Sequence, residues 1–600
     1  MFFIRIPNSK FSILRPRGKL LEQLVCYASS LINKMTSRQM FIRLSEGAET
    51  FSVNFELVFE SLNIQRSFNL NRRCTETIGD LTLRISSNVE KSITYKVAKK
   101  VKKGEEIEMP DINVKVLNGG TEVPPELTCN NVFFQKESPN LSARILGTDY
   151  KIIINPPWIN SLAIPTTFLV GFPVYPKKFD ASFTSKEECD FVWSISTVDT
   201  KKHPSQCSFQ QTGKGFIYLP APSDIGHYVK LDCTPKAGDR VGPSVSLVSQ
   251  KRVEAGPGTC PFELRHKFTS EILPCSSFRV VSYNILADLY AKSDVAQNSL
   301  FPYCPKYALE IDYRKLLIVK ELVGYNADLL CLQEVDLKVY QSDLEPVFKS
   351  LKFEGVITKK GAQVSEGVAC FYRSSRFSLE DSHRVILGEE INDHPCFSPI
   401  LSKLNEYPAL KERVLARTTT LQVLVLKVLD RPNHRLIVGN THLYFQPAAD
   451  HIRLLQAGLS IAYINDVVSK IKLSDPHLTT SVILCGDFNS TPDCGVYKLM
   501  TEKHVPVDYL DWKSQEGEHI EGLSLEQPFP FASACGTPEF TNFTVGFVGC
   551  LDYIFYQTDH LAVEQVIPMP SKEEVTLYTA IPNVVFPSDH LALVADLKWL

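Results

Sequence analysis

Ser481-Val-Ile-Leu-Cys-Gly-Asp-Phe-Asn489 is the stretch that decides the fold of the second half of this chain. Residues 481–485 form a short apolar run of strand type. Asp487 and Asn489, two apart, then fall on the same side of an extended segment where the strand gives way to a loop. The plan recurs on both sides. Upstream, Phe278-Arg-Val-Val-Ser-Tyr-Asn284 and Leu329-Leu-Cys-Leu-Gln-Glu334 are apolar strands that end in Asn284 and Glu334. Downstream, Asp552 opens a run to Phe555, and Ser588-Asp-His590 precedes the apolar stretch Leu591–Leu597. Helical stretches around 313–325 and from His451 to Ile471 alternate with these strands, and further strands are expected at Leu421–Leu429 and Leu436–Asn440. Strands inside and helices outside make a layered α/β sandwich.

At 600 residues the chain exceeds what one hydrophobic core normally serves, so two or three domains are expected. Its 44% hydrophobic and 22% charged residues are those of a soluble globular protein. It has no uninterrupted apolar run of about 18 residues of the kind that crosses a membrane. A net charge of −3 gives no global pull on polyanions, so a nucleic-acid substrate needs a local site. The 16 cysteines lack the paired close spacing of a zinc site and are expected to be reduced. Cys331, Cys485 and Cys550, each in a strand-like run, are expected to pack rather than react.

The first half divides differently. Residues 1–40 read as a targeting segment: Arg5, Lys10, Arg15, Arg17, Lys19, Lys34 and Arg38, with Arg43 just beyond, are opposed before Glu46 only by Glu22, with Phe, Ile and Leu interleaved. That acid-poor, amphipathic pattern suits a mitochondrial presequence, and Met35 offers a leaderless start. Residues 41–255 read as β-rich, with strands expected at Phe51–Val58, Leu81–Ile85 and Ile93–Val97 and a loop or minor boundary at Asn118-Gly-Gly120 and Pro124-Pro125. Trp193 and the stretch Asp224-Ile-Gly-His-Tyr228 resemble the buried Trp and tyrosine corner of immunoglobulin-like sandwiches, although Cys233 departs from their disulfide spacing. A local basic run, Lys96, Lys99, Lys100, Lys102 and Lys103, reads as a solvated strand end and loop. Gly256-Pro-Gly258 and Cys260-Pro261 then open the region 256–600.

In that region each polar motif sits at a strand end, where sheet-based sites place their groups. Glu334 offers a hard carboxylate of the kind Mg²⁺ takes together with water and substrate oxygens. Asp487 can ligate a cation or accept a proton from an attacking water, and Asn489 can position that water or hold a phosphate oxygen. Asp487-Phe-Asn489 alone also fits an Asx-turn. His442, ending Asn440-Thr-His442, and His590 can share the charge of a phosphorane and the protonation of a leaving oxygen. Asp552 can hold His590 in one tautomer.

In chain order, Ser-Tyr-Asn284, Leu-Gln-Glu334, Asn-Thr-His442, Gly-Asp487-Phe-Asn489, Leu-Asp552-Tyr and Ser-Asp589-His590 resemble the motifs of the exonuclease–endonuclease–phosphatase superfamily, which includes deoxyribonuclease I and the apurinic endonucleases. The resemblance implies a two-layered β-sandwich core flanked by helices. It also implies Glu334, Asp487 and Asn489 around Mg²⁺, with Asp487 activating water. Asn284 and Asn489 would hold phosphate oxygens or water, and His442 and His590, the latter paired to Asp552, would stabilise the phosphorane. Tyr303-Cys-Pro305, Tyr307-Ala-Leu309, Asp312-Tyr-Arg314, Asn440-Thr-His-Leu-Tyr444 with Pro447, and Thr541-Asn542 with Phe547 resemble the deadenylase branch. There a Pro and a Phe sandwich an adenine, which points to Pro447 and Phe547 as substrate-binding. Val253-Glu-Ala-Gly-Pro-Gly-Thr-Cys260 and the β-rich first half are similar to the mitochondrial 2′,5′-phosphodiesterase family.

The resemblance therefore implies a Mg²⁺-dependent 3′-exoribonuclease of the mitochondrial matrix. It would remove adenylates from poly(A) tails and cut 2′,5′-oligoadenylates to AMP, with RNA as partner, no membrane insertion and no obligate protein partner. Two alternatives stay open: an RNA-binding adaptor on an inactive nuclease fold, and a phosphodiesterase of the same superfamily acting on another substrate.

Overall fold

The computed structural model describes residues 32–33, 38–101, 109–135, 140–198, 208–361, 363–515 and 517–600. The leader residues up to 31, Lys34, Met35 and, in the basic run, Lys102 and Lys103 lie outside the described residues. By internal contacts the chain divides into two units. The first ends at Ile164 and takes in Lys178–Gly215 and His227–Gln250; the second consists of Pro165–Lys177, Phe216–Gly226 and Lys251–Leu600.

The first unit contains a seven-stranded sheet in the spatial order 64–73, 50–59, 39–43, 148–154, 141–145, 114–118, 121–122. Phe51–Val58 lies in the strand Thr50–Phe59, as its alternation implies. The expected strands Leu81–Ile85 and Ile93–Val97 do not exist: both lie in one helix, Ile78–Val101. Ile78, Leu81, Ile85, Val89, Ile93 and Val97 are buried, a stripe that repeats at three- and four-residue intervals. Leu83 and Tyr95, the middle residues of the two alternations, are 69% and 70% exposed. Local alternation was incidental to the longer helical period, and each stripe residue gains about 2 kcal/mol by burial on the sheet. Asn118-Gly-Gly120 is a hairpin turn within this sheet, with Gly119 and Gly120 at φ 58° and 86°, left-handed values that glycine adopts without steric cost.

The same unit holds a five-stranded sheet, in the order 32–33, 245–252, 228–234, 190–196, 210–214, and the hairpin Trp158–Ala163 with Lys178–Ser182. Trp193 is fully buried there and donates its indole N–H to Gly215 O at 2.9 Å. Within the second unit Tyr218 donates its hydroxyl to Asp224 Oδ2.

The second unit is built on twelve strands: β1 (Ser277–Asn284), β2 (Leu329–Asp336), β3 (Phe353–Lys359), β4 (Glu366–Arg373), β5 (Phe377–Ile386), β6 (Thr420–Val428), β7 (His434–His442), β8 (Thr479–Asp487), β9 (Phe531–Ser533), β10 (Asp552–Gln557), β11 (Leu561–Val566) and β12 (Leu593–Trp599). They form two six-stranded sheets, β3-β4-β2-β1-β12-β11 and β5-β6-β7-β8-β10-β9. In each, two central strands run parallel, β1 with β2 and β7 with β8. Val280, Leu329, Cys331 and Cys370 from one sheet pack against Leu424, Val438, Ile483, Cys485 and Ile554 from the other. Cys550 is likewise buried, so all three singled-out cysteines pack in the interior.

Helix α1 (Ile311–Gly324) precedes β2 and α2 (Asp450–Ser474) precedes β8. Ile452, Leu455 and Ile464 of α2 share a core with Val423, Ile437 and Leu484, so β6, β7 and β8 are buried on both faces, as their nearly continuous apolar sequences require. At Gly439 a Cβ would sit 2.7 Å from Leu484 Cδ1 and 3.0 Å from Ile464 Cδ1, so a larger residue there would push these two side-chain ends aside.

Buried amides join the sheets inside this apolar interior, and one pair lies just beneath the strand ends. Gln333 on β2 donates through Nε2 to Asn440 Oδ1 on β7 at 2.9 Å, and Asn440 Nδ2 donates to Leu332 O and Ala369 O at 3.2 Å each. Both amides are fully buried. Gln333→Leu leaves Asn440 Oδ1 without its donor in a dry core. It is expected to destabilise the second unit by about 1–3 kcal/mol, read as a lower urea midpoint at unchanged slope; an unchanged midpoint would contradict this role.

Candidate active site

The strand register brings the predicted residues to one end of the sandwich. On the second sheet His442 pairs with Asp487 and Asp487 with Asp552, so three adjacent strands each deliver one functional group at the same level. On the first sheet Asn284 ends β1 opposite Gln333, and the regular pairing of β2 with β4 breaks between Leu332 and Val335. Glu334 sits in that irregularity at φ 54°, a backbone excursion that turns its carboxylate out of the alternation. The glycine of Gly486-Asp487 has a local cause as well: a Cβ there would lie 2.3 Å from Thr441 O on β7.

Asn284 stands between the sheets. Its single Nδ2 donates to Glu334 Oε1 at 3.1 Å and to Asp487 Oδ2 at 3.0 Å, while its Oδ1 accepts from Leu286 N. Glu334 Oε2 accepts from Ala287 N at 2.9 Å. His442 and His590 both approach Asp487 Oδ2 with Nε2 at 3.5 Å. His590 Nδ1 lies 2.8 Å from Asp552 Oδ2, which also accepts from Thr541 Oγ1 at 2.6 Å. Six of the predicted residues thus form one contiguous cluster: Asn284, Glu334, His442, Asp487, Asp552 and His590.

Asn489 belongs to its edge. Its backbone N–H caps Asp487 Oδ1 at 2.9 Å, and its Nδ2 donates to Leu443 O at 3.0 Å. At φ 49° it makes the left-handed turn that leads the chain away, so its Oδ1 and its second amide hydrogen remain for a ligand. Pro447 and Phe547 lie on exposed loops at the site end of the second sheet: Pro447 five residues after His442, Phe547 in the hairpin that leads into Asp552.

The electrostatics divide the two histidines. Burial, with Lys360 and His590 adding to it, holds His442 well below its ordinary value, so it is a neutral imidazole. Burial opposes charge on His590 too, but Asp552 and Asp487 outweigh it and raise that imidazole well above its ordinary value. Burial, then the neighbouring Glu366 and Asp589, push the Glu334 carboxyl up to about 7. Burial and Asp552 carry Asp487 to about 6 against the opposing pull of His590. Carboxylates held this way favour a cation between them. Oxygens of Glu334 and Asp487 meeting at one amide hydrogen-bond donor suit a divalent cation that takes hard ligands. Asp487, Asp552 and His590 also place donor atoms within 4.8 Å of one another, but Asp552 and His590 are spent on each other, a histidine–carboxylate pair rather than an open ligand set.

Several working parts were not predicted from the sequence. Arg314, fully buried on α1, donates through Nη1 to Ile285 O, Leu286 O and Pro587 O, which ties the loop after Asn284 to the one before Ser588. Tyr303 and Tyr313 fasten the same second loop through Ile581 O and Val584 O, each at 2.7 Å. Ser588 Oγ donates to Asn284 O at 2.7 Å. Glu366, fully buried, accepts from Lys360 Nζ at 2.6 Å and Tyr290 OH at 2.9 Å behind Glu334. A glutamate opening the apolar strand Gly367-Val-Ala-Cys-Phe371 was the available signal for it.

Asp552→Asn keeps the shape of the His590 contact but removes the charge that sustains the imidazolium. It is expected to lower kcat for phosphodiester cleavage by about 10²-fold or more at little-changed KM and unfolding midpoint. Titration of the His590 ring by NMR should show its pKa falling; an unmoved pKa would refute the pairing.

The endonuclease/exonuclease/phosphatase family matches residues 281–590, and the 2′,5′-phosphodiesterase 12-like N-terminal domain matches residues 156–254. The chain is 40% identical over 562 residues to 2′,5′-phosphodiesterase 12 of Bos taurus and 39% identical to that of Homo sapiens, in each case across 88% of this chain and 90% of the relative. It is 30% identical over 351 residues to the CCR4-Not complex 3′-5′-exoribonuclease subunit Ccr4 of Schizosaccharomyces pombe, covering 54% of this chain and 49% of that protein. With its deoxyribonuclease I-like α/β sandwich and this extent of likeness, the chain belongs to the endonuclease/exonuclease/phosphatase family of hydrolytic phosphodiesterases, in the 2′,5′-phosphodiesterase 12 branch.

Proposed function

We propose that this protein is a Mg²⁺-dependent 3′-exoribonuclease that removes adenylates from the poly(A) tails of mitochondrial RNA, cleaves 2′,5′-oligoadenylates and releases AMP. The observation that carries the chemistry is the Asn284 amide spanning Glu334 and Asp487, with the His590–Asp552 pair beside it. The substrate rests on the likeness to proteins named 2′,5′-phosphodiesterase 12 and Ccr4 exoribonuclease, and on Pro447 and Phe547.

Glu334 is the principal cation ligand, with Asp487 and Asn489 Oδ1 as the other candidates. When bound, Mg²⁺ neutralises charge on the scissile phosphate. Asp487 orients the attacking water and accepts its proton, and an elevated carboxyl value suits it to that task near neutral pH. The new P–O bond forms as the bond to the 3′- or 2′-oxygen of the preceding nucleotide breaks, and that oxygen leaves as a hydroxyl with a proton from the His590 imidazolium. Asn489 holds a phosphoryl oxygen or water through its remaining amide hydrogen, and Asn284, both of whose Nδ2 hydrogens are given to Glu334 and Asp487, keeps those two carboxylates at the phosphate. His590, kept charged by Asp552, stabilises the phosphorane, and neutral His442 donates a hydrogen bond to it without adding charge. Pro447 and Phe547 hold the departing adenine between them. Base stacking does not depend on a basic surface, which agrees with a net charge of −3.

Glu334→Ala is expected to reduce AMP release by about 10³-fold or more and to cancel the rise in unfolding temperature that Mg²⁺ gives the wild type. AMP release at the wild-type rate would sink the assignment. Phe547→Ala should raise KM for oligoadenylate by about tenfold with smaller change in kcat. Tri-adenylates of 3′,5′ and 2′,5′ linkage should be cut in preference to a matched oligocytidylate; equal rates on all three would remove the adenine pocket and favour another substrate of the same chemistry. The mitochondrial location rests on the acid-poor leader, and a tagged full-length protein that never enters mitochondria would exclude it.

A further inference from the structure

The loop 443–449 between β7 and α2 is held more firmly than an exposed loop usually is. Tyr444 N donates to Gln456 Oε1 at 3.0 Å and Tyr444 OH to Gln446 Oε1 at 2.7 Å. The guanidinium of Arg453, 3% exposed, donates to the carbonyls of Tyr444 at 3.2 Å and Pro447 at 2.9 Å, and also to that of Gln446. In the middle of this braced segment Phe445 is 72% exposed, its ring edge-on to Tyr444 at 5.4 Å.

The Tyr444 ring also carries the guanidinium of Arg417, with Cζ 4.7 Å from the ring centroid. Arg417 lies in the short segment that leads through Thr418 and Thr419 into β6, and Leu421 of β6 pairs with Thr441 beside His442, so this arginine stands at the site edge. Its Nε donates to Arg413 O at 3.0 Å, and among the described residues no carboxylate lies within 4.0 Å of it. Arg413 is different: it is committed to Glu518, Gln515 and Gln446. The site rim thus presents a rigid, solvent-facing aromatic face and a half-buried guanidinium with free N–H groups. These two elements are the ones that hold single-stranded nucleic acid, by base stacking and phosphate pairing, and the pre-ordered loop lowers the entropic cost of binding.

We infer that Arg417, Tyr444 and Phe445 form a second nucleotide subsite, for the residue immediately upstream of the adenylate that is released. Phe445 stacks on the base of that residue, and Arg417, oriented by Tyr444, binds its 5′-phosphate. The inference rests on the adenylate-releasing activity proposed above. Neither contact reads the sugar position through which the scissile bond is made, so one subsite serves 3′,5′ and 2′,5′ linkages alike.

Three substrates separate the parts: adenosine 5′-(p-nitrophenyl phosphate), which has no upstream nucleotide; ApA, which has the upstream base without its 5′-phosphate; and pApA, which has both. Phe445→Ala is expected to raise KM for ApA and pApA by about fivefold or more, to leave the nitrophenyl ester unchanged, and to be rescued by Phe445→Trp. Arg417→Ala is expected to erase the advantage of pApA over ApA and to touch neither ApA nor the ester. Equal losses on all three substrates, or none on any, would overturn the subsite. Wild-type protein that hydrolyses none of them overturns the adenylate reading itself, whereas ester cleavage weakened by Pro447→Ala but indifferent to Phe445→Ala upholds that reading independently.

Discussion

A single amide nitrogen, Nδ2 of Asn284, donates to a carboxylate from each sheet, Glu334 on one and Asp487 on the other. Everything chemical in this protein depends on the two sheets being held at the spacing that lets that nitrogen reach both. The apolar interior sets the approximate separation, about 10 Å for packed sheets. Gln333 and Asn440 then fix it just beneath the site, because the Gln333 amide hydrogen reaches Asn440 Oδ1 only over a narrow range of sheet-to-sheet distance. Arg314 does the same for the loops, taking three carbonyls from two segments with one guanidinium nitrogen.

This rigidity carries an electrostatic consequence. Four carboxylates, Glu334, Glu366, Asp487 and Asp552, are gathered where water is scarce, and their mutual repulsion is only partly offset by Lys360 and His590. Burial and these neighbours raise Glu334 and Asp487, so a divalent ion bound between the two gains from relief of that repulsion. The same environment gives two histidines opposite states at one carboxylate oxygen. One supplies charge and the other a neutral hydrogen bond. Asp552 is the difference between them.

Much of the site was legible because its residues interrupt apolar strands. A polar side chain at the end of a buried run, as at Asn284, Glu334, His442, Asp487 and Asp552, is costly unless it has work or a partner, and all five converge. Asn489 was read on the same logic but stands at the edge, because a left-handed turn spends one amide hydrogen on Leu443 O, which a two-residue spacing does not reveal. Gln333 and Asn440 stood inside quoted motifs and were passed over as spacers. Glu366 was missed because a lone glutamate before a glycine looks like a turn. In the first unit, five-residue windows around Leu81 and Ile93 suggested strands where the six-residue buried stripe from Ile78 to Val97 shows a helix; the longer period decides because it, and not the local alternation, is what packs.

By itself, the sequence determined which segments are strands buried on both faces, that their ends carry hard oxygen donors and imidazoles, and the family to which that ordered set belongs. Those are properties of short windows, set by periodicity and side-chain chemistry. Only the tertiary structure decided which donors meet. Asn284 and Asp487, 203 positions apart, share a hydrogen bond, and the charge of each histidine follows from carboxylates on other strands. Proximity and desolvation are properties of the packed molecule, and no local pattern contains them.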